Sequence, residues 1–200
     1  MNGFPWLTVA GAVPLAGALV ISLIPGLPAD SAEADRRARD TLAKWLALMF
    51  SLATLVWVII IAVKFQVGGP DYQFTEVYSW IPAFGVHYAL GVDGIALVLI
   101  AMSAVLMPVV ILASWNDAEG GKHSVKTYFA LMLVLETMVI GVFAATDVFL
   151  FYVLFEAMLA QHRAGGGMVA VATHTAIALP GARILQLDDF APPATWDDAA

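Results

Sequence analysis

The chain has 200 residues, of which 61% are hydrophobic and only 12% charged, and its formal net charge at pH 7 is −7. Soluble domains are usually about half apolar and about a quarter charged, so this composition indicates an integral membrane protein. The sequence contains no cysteine, which excludes disulfides, a thiol nucleophile and iron–sulfur ligation by cysteine. The acidic balance without a basic patch excludes nucleic-acid binding.

The first apolar run covers about residues 5–25 and contains Pro14. A secretory signal begins with a positively charged region, whereas the first basic residue of this chain, Arg36, follows the run. The run therefore predicts a retained first membrane helix. The proline inside it predicts a kink that neighbouring helices accommodate.

Four further apolar runs follow, and a membrane span requires about 20 mostly apolar residues. The fourth and fifth runs each contain one glutamate, and the fifth is the shortest of all. The sequence predicts an all-α, polytopic membrane protein with four to five transmembrane helices, which cover about 5–25, 42–65, 94–115, 127–145 and 148–161.

Basic residues are distributed unequally between the loops on the two sides of the predicted membrane. One side carries Arg36, Arg37, Arg39, Lys44, Lys122 and Lys126, and the other side carries Lys64. Short basic loops stay in the cytoplasm. We therefore expect the N-terminus outside and the loops 27–41 and 116–126 in the cytoplasm. Opposite charges four residues apart, as in Glu33 and Arg37, predict helical character in the first of these loops.

The loop of residues 66–91, on the other side, is rich in aromatic rings, which prefer the membrane interface. Its segment "FGVHYALGVDG" alternates between turn-forming and apolar residues, which favours a short hairpin. His87 in this loop is a single ligand, too few for a metal site. Asp93 and Asp147 precede the third and fifth spans, where we expect each to cap a helix.

The candidate chemistry of the chain is restricted to two carboxyl groups. The sequence shows no nucleophile–base pair, phosphate-binding loop or nucleotide fingerprint. Glu136 lies in the fourth span and Glu156 in the fifth, although a charged residue at the centre of a membrane helix costs about 2.5–3.5 kcal/mol on insertion scales. Intramembrane carboxyl groups commonly mark proton or ion pathways. The alternative is a protonated glutamate that is bonded to a neighbouring helix, and the residues by themselves leave both interpretations open.

Two segments carry a resemblance to a known family. They are "LGVDGIALVLI", which enters the third span, and "GVFAATDVFLFYVLFEAML", which crosses the fourth and fifth spans. With these segments, residues 1–159 resemble the N-terminal part of the subunit M family, the antiporter-like membrane subunits of proton-pumping NADH-quinone oxidoreductase, respiratory complex I.

The resemblance implies a fold of fourteen membrane helices, a location in the plasma (inner) membrane and no cofactor in this chain. It implies that NADH, FMN, iron–sulfur clusters and quinone bind other subunits. The partners that it implies are the other membrane subunits of complex I and the lipid bilayer, while this subunit translocates protons.

The resemblance also assigns roles to the two glutamates. Glu156 matches a fifth-helix glutamate that exchanges protons and is coupled to a lysine on a broken seventh helix. Glu136 matches a position on the fourth helix, and we expect it to take part in proton transfer as well. No residue of the chain is expected to bind a cofactor or a metal.

The sequence departs from the family pattern after Leu159. Three glycines, Gly165 to Gly167, are expected to end the fifth helix. The segment 160–200 is predicted to be a divergent tail, disordered or associated with the surface, and its acidic end favours disorder. We therefore expect a truncated or frame-shifted subunit M. Two alternatives are an Mrp-type cation/proton antiporter subunit and a non-functional membrane fragment.

Overall fold

The computed structural model describes residues 4–25, 32–116 and 124–164, and it confirms a helical membrane fold. The helices in these ranges are α1 (Trp6–Ser22), α2 (Glu33–Lys64), α3 (Gly94–Ala113), α4 (Val125–Ala144) and α5 (Val148–Ala164). Two strands, β1 (Gln73–Ile81) and β2 (Val86–Val92), form a hairpin between α2 and α3. The division of the chain at residue 159 stays a prediction, and from residue 165 onward the expected tail lies outside the described residues.

Each predicted span overlaps one helix of the structure, and the lengths differ. Within the described residues α2, α3 and α4 are long and apolar enough to cross a membrane, whereas α1 is apolar but shorter, with 17 residues. Helix α2 begins at Glu33, well before the predicted span. Glu33 and Arg37 form an ion pair of 3.1 Å across one turn. The predicted helical character of this segment is thus confirmed.

Helix α1 packs closely against both α2 and α4. A Cβ atom placed on Gly17 of α1 would lie 2.5 Å from the Cγ of Phe50 on α2 and 2.8 Å from the Cδ1 of Leu133 on α4. No real side chain tolerates such distances, so the three helices approach each other this closely because residue 17 is a glycine. Small residues serve the same purpose in other membrane helix pairs.

Two tryptophan pairs lie at opposite ends of the bundle. The rings of Trp6 and Trp57 stack with centroids 5.3 Å apart, near the hairpin. At the opposite end Trp45 and Trp115 meet edge to face at 5.4 Å. Amphipathic rings of this kind prefer membrane–water interfaces.

The hairpin predicted in the loop 66–91 is present, and it is larger than the segment that predicted it. Strands β1 and β2 are antiparallel, with Tyr78 opposite Tyr88. A single 3-10 turn joins them and ends at Gly85, whose φ of 66° favours glycine.

The hairpin is fastened to α1 by Glu76 of β1. Its Oε1 accepts hydrogen bonds from the backbone amides of Leu7 at 2.7 Å and Thr8 at 3.3 Å, and its Oε2 accepts one from the Thr8 hydroxyl. The hydroxyl oxygens of Thr8 and Tyr88 lie 3.0 Å apart. Because Pro5 gives α1 no side-chain cap, Glu76 satisfies the free amides at the helix N-terminus, where negative charge is also favourable.

The close contact at Gly17 generates a first prediction. We expect Gly17→Ala to lower the free energy of unfolding by about 1–3 kcal/mol, the usual cost of overpacking a tight core. Thermal denaturation of the chain in detergent measures it. Gly11→Ala is the matched control on the same helix, since its nearest neighbour would be the Thr137 methyl group at 3.9 Å. An equal loss of stability in both variants would show that Gly17 has no special packing role.

Candidate functional site within the helix bundle

Glu136 lies on the inward face of α4. It is the twelfth of the 20 residues of this helix and has no exposed surface. The buried positions of α4 recur every three or four residues, at Phe129, Leu133, Glu136, Ile140 and Ala144, which is the period of one helix face. The helical register therefore aims the carboxyl group into the bundle.

The Glu136 carboxyl group has no hydrogen-bond partner on either oxygen within the part of the chain that the structure describes. The neighbouring Thr137 is tied to α1, since its hydroxyl donates to the Gly11 carbonyl and to the Leu133 carbonyl, each at 3.1 Å. An ionised carboxylate that is removed from water without a partner costs several kcal/mol. Such a group needs a proton, a bound water molecule or a partner outside the described residues.

In contrast to Glu136, Glu156 lies on an exposed face of its helix. It is the ninth of the 17 residues of α5, and its side chain is exposed. Leu154 packs on α4, because a Cβ atom on Gly141 would lie 2.8 Å from the Leu154 Cδ1. Successive residues of a helix are rotated by about 100°, so Glu156 is about 200° around α5 from Leu154. Its carboxyl group therefore lies on the face turned away from α4.

The two glutamates share a similar depth but not a face. Helices α4 and α5 are antiparallel, and Gly141 lies opposite Leu154. Glu156 lies two residues beyond Leu154, so its level on α5 corresponds to that of Val139 on α4, which at 1.5 Å per residue is about 4.5 Å from Glu136 along the axis. The two glutamates thus lie at a similar level of the bundle, but their side chains do not lie on facing sides of α4 and α5.

Asp147 begins α5 and joins it to the hairpin. Its Oδ1 accepts hydrogen bonds from the amides of Phe149 at 2.9 Å and Leu150 at 3.1 Å, and its Oδ2 accepts one from the amide of His87 at 3.1 Å. The bonds from Leu150 and His87 hold the pKa of the Asp147 carboxyl below its ordinary value. The predicted cap is confirmed, and it anchors the N-terminal end of the helix that bears Glu156.

The second predicted cap is also present. Asp93 accepts a hydrogen bond of 2.7 Å from the amide of Ala96 at the start of α3. Among the described residues no cluster of three histidine, aspartate or glutamate side chains is placed to hold a metal ion.

Two buried hydroxyl residues were not singled out by the sequence. Ser51 and Thr54 lie on α2 without exposed surface, and each hydroxyl donates to a carbonyl of its own helix. Their spacing of three residues continues the buried stripe through Ala47 and Leu48. The sequence signal for these two residues is therefore their spacing, which places both polar side chains on the inward face of the second span.

The helical bundle with its long apolar helices defines the class of this protein: a polytopic membrane protein. The sequence model of the family described as "NADH-ubiquinone oxidoreductase chain 4, amino terminus" matches residues 41–142. The chain therefore belongs to this family, as its resemblance to subunit M predicted. The matched region contains Glu136 and ends before Glu156.

Individual relatives agree with the family match. NADH-quinone oxidoreductase subunit M of Mycobacterium tuberculosis strain H37Rv is 42% identical over 185 residues, covering 80% of this chain and 32% of the relative. The subunit M of Rhodobacter capsulatus is 36% identical over 153 residues, with 76% and 27% covered. NADH-ubiquinone oxidoreductase chain 4 of Chondrus crispus is 31% identical over 153 residues, with 76% and 28% covered. The chain spans about a third of the length of the curated relatives it matches.

Removal of the Asp147 carboxyl group should loosen the start of α5. We expect Asp147→Ala to speed hydrogen exchange several-fold at the amides of Phe149 and Leu150, measured by mass spectrometry of the chain in lipid. Because folding lowers the pKa of Asp147, its contribution to stability is complete above the ordinary value of 3.8 and is lost as the pH falls through the lower folded value.

Asp147→Asn is the matched control for this experiment, since asparagine keeps an acceptor oxygen and is an equally good cap. It should retain slow exchange and lose the dependence on acidic pH. Fast exchange at neutral pH in Asp147→Asn would show that the charge, and not the hydrogen-bond geometry, holds the helix.

Proposed function

We propose that the chain is a proton-translocating membrane subunit of an NADH-quinone oxidoreductase, respiratory complex I. The observation that carries this proposal is the position of Glu136, completely buried at mid-helix in a chain of the NADH-ubiquinone oxidoreductase chain 4 family. Charged residues at this depth are expensive, and the usual reason for retaining one is a proton or ion pathway. Quinone reduction in other subunits would then drive proton transfer through this one.

Glu156 is proposed to be the second proton-transfer group. Its side chain lies on an exposed, mid-helix face of α5, where direct contact with lipid would be as costly as at any other mid-membrane position. This chain matches only 32% of its Mycobacterium tuberculosis relative, so further helices of a whole subunit are available to cover the face. A lysine from such a helix, as the resemblance implies, would pair with the carboxylate.

The redox chemistry is proposed to take place outside this chain. NADH, FMN, iron–sulfur clusters and quinone would bind other subunits of the complex, and the isolated chain is not expected to be an active enzyme. Its proposed partners are the other membrane subunits and the lipid bilayer. Exposed aliphatic side chains on the long helices, such as Val63, Ile95 and Val98, suit both kinds of apolar neighbour.

The names of the relatives favour this function over the alternatives. Each relative compared above is named as a subunit or chain of an NADH oxidoreductase. A similarity to such subunits is not required of an Mrp-type antiporter subunit. A non-functional fragment would have no need of a carboxyl group that is fully buried at mid-helix, as that of Glu136 is.

The orientation is proposed from the charges. The hairpin and the N-terminus of α1 lie at one end of the bundle, and basic residues in the first turns of α2 and α4, such as Arg37 and Lys126, lie at the other. We propose that the hairpin end faces outside and that the loops 27–41 and 116–126 are cytoplasmic, by the excess of basic residues.

Neutralisation of the glutamates tests the function. We expect Glu156→Gln and Glu136→Gln to reduce proton uptake that is coupled to NADH oxidation to the background level, because glutamine cannot exchange a proton. The measurement uses inside-out membrane vesicles that contain the complex with each variant. Glu33→Gln, which removes one partner of an exposed ion pair, is the control and should pump normally. Normal pumping by both intramembrane variants would refute the proposed function.

The orientation has its own test. The sequence contains no cysteine, so a single introduced cysteine is the only site for a thiol reagent. A membrane-impermeant maleimide should label Phe84→Cys in intact cells, since Phe84 is 82% exposed in the hairpin. Arg37→Cys at the start of α2 should be labelled only after the membrane is opened. The reverse pattern would mean that the N-terminus is cytoplasmic.

A further inference from the structure

The contact of three helices at Gly17 sets the depth of the buried polar groups. Phe50 of α2 and Leu133 of α4 both lie against the Cβ position of Gly17 on α1, so these two residues share one level of the bundle. Helices α2 and α4 run in the same direction, because Lys64 at the end of α2 lies over the Trp6 ring and Ala145 at the end of α4 pairs with the hairpin.

Counting from that level places Glu136 at the same depth as the two buried hydroxyl groups. At 1.5 Å per residue, Glu136 lies about 4.5 Å beyond Leu133 along α4, while Ser51 and Thr54 lie about 1.5 Å and 6 Å beyond Phe50 along α2. Helices α2 and α4 pack directly against each other. All three side chains have no exposed surface. The Glu136 carboxyl group therefore faces the bundle interior at a depth between those of the two hydroxyls.

The hydroxyl groups offer acceptors and no free hydrogen. Ser51 donates its hydrogen to the Leu48 carbonyl at 2.9 Å, and Thr54 donates its hydrogen to the Phe50 carbonyl at 3.0 Å. Each oxygen keeps lone pairs that accept. An ionised carboxylate only accepts, whereas a protonated carboxyl group has one O–H to donate. The chemistry of this layer therefore matches the protonated form of Glu136.

We propose that Ser51 and Thr54 hold the protonated carboxyl group of Glu136 through one internal water molecule, in a hydrogen-bonded site between α1, α2 and α4. The water accepts the O–H of Glu136 and donates its two hydrogens to the hydroxyl oxygens of Ser51 and Thr54. It thereby makes three hydrogen bonds, the usual number for a buried water, and it gives an acceptor to the O–H of a carboxyl group that has no partner among the described residues.

The site deepens the proposed function and rests on it for its role in proton transfer. Loss of the Glu136 proton would require the water to turn one hydrogen toward the carboxylate, which leaves one hydroxyl oxygen without a donor. Ser51 and Thr54 are thus positioning residues. They favour the state in which Glu136 holds its proton, and they stabilise it until a neighbouring acceptor takes that proton.

Infrared spectroscopy of the full chain in lipid bilayers tests the site without any pumping activity. The carbonyl stretch of a protonated Glu136 is the band that disappears in Glu136→Gln. We expect this band to move to higher wavenumber in Ser51→Ala and Thr54→Val, because the carboxyl group loses its hydrogen-bonded water. Thr54→Ser keeps the hydroxyl and should leave the band in place, and the amide band of each spectrum reports whether the helices are intact.

Ser103→Ala is the matched control, since the Ser103 hydroxyl also donates to a carbonyl of its own helix, that of Leu99 on α3 at 2.8 Å. It should not move the band. An unchanged band in the double variant Ser51→Ala, Thr54→Val would overturn the proposal, as would the absence of any band that Glu136→Gln removes. Normal pumping by Glu136→Gln together with the expected band shifts would refute the role in proton transfer and leave the site intact.

Discussion

The close approach of α1 to α2 and α4 at Gly17 is the contact on which the arrangement of the bundle depends. Lipid is as apolar as the helix surfaces, so apolar burial contributes little to holding membrane helices together, and close packing has to do so. A glycine at this position admits the Phe50 and Leu133 side chains to the backbone of α1. That contact fixes the register of α2 against α4, and the register in turn determines which polar groups share a depth with Glu136.

Polar contacts at the hairpin end complete the arrangement that apolar packing begins. Glu76 closes the N-terminus of α1, and Asp147 closes that of α5 while it also accepts from the hairpin backbone. The Thr146 amide adds a bond of 2.9 Å to the Ala89 carbonyl of the hairpin. The amides at the start of a helix need hydrogen-bond acceptors. For α1 the hairpin supplies the acceptor, and for α5 the hairpin shares one. The helix that bears Glu156 is therefore positioned by the hairpin as well as by its contact with α4.

Several elements of the fold and site followed from local signals in the sequence. Hydropathy located the helices, and the aspartates before α3 and α5 cap them as predicted. The polar first turns of α2 extend the helix ahead of its apolar span, as the opposite charges four residues apart predicted. Glu76 was missed, because its partners Leu7 and Thr8 are almost 70 residues away and no local pattern records that distance.

The sequence by itself determined the membrane class, the approximate spans, the family and the presence of two glutamates within apolar helices, because hydropathy, charge and motif are properties of neighbouring residues. The tertiary structure alone decided that Glu136 is enclosed by the bundle while Glu156 lies on an outer face. It also decided that Ser51 and Thr54 share the depth of Glu136. Those facts depend on how far each helix is rotated and shifted against its neighbours, and contacts such as the one at Gly17 set that rotation and shift.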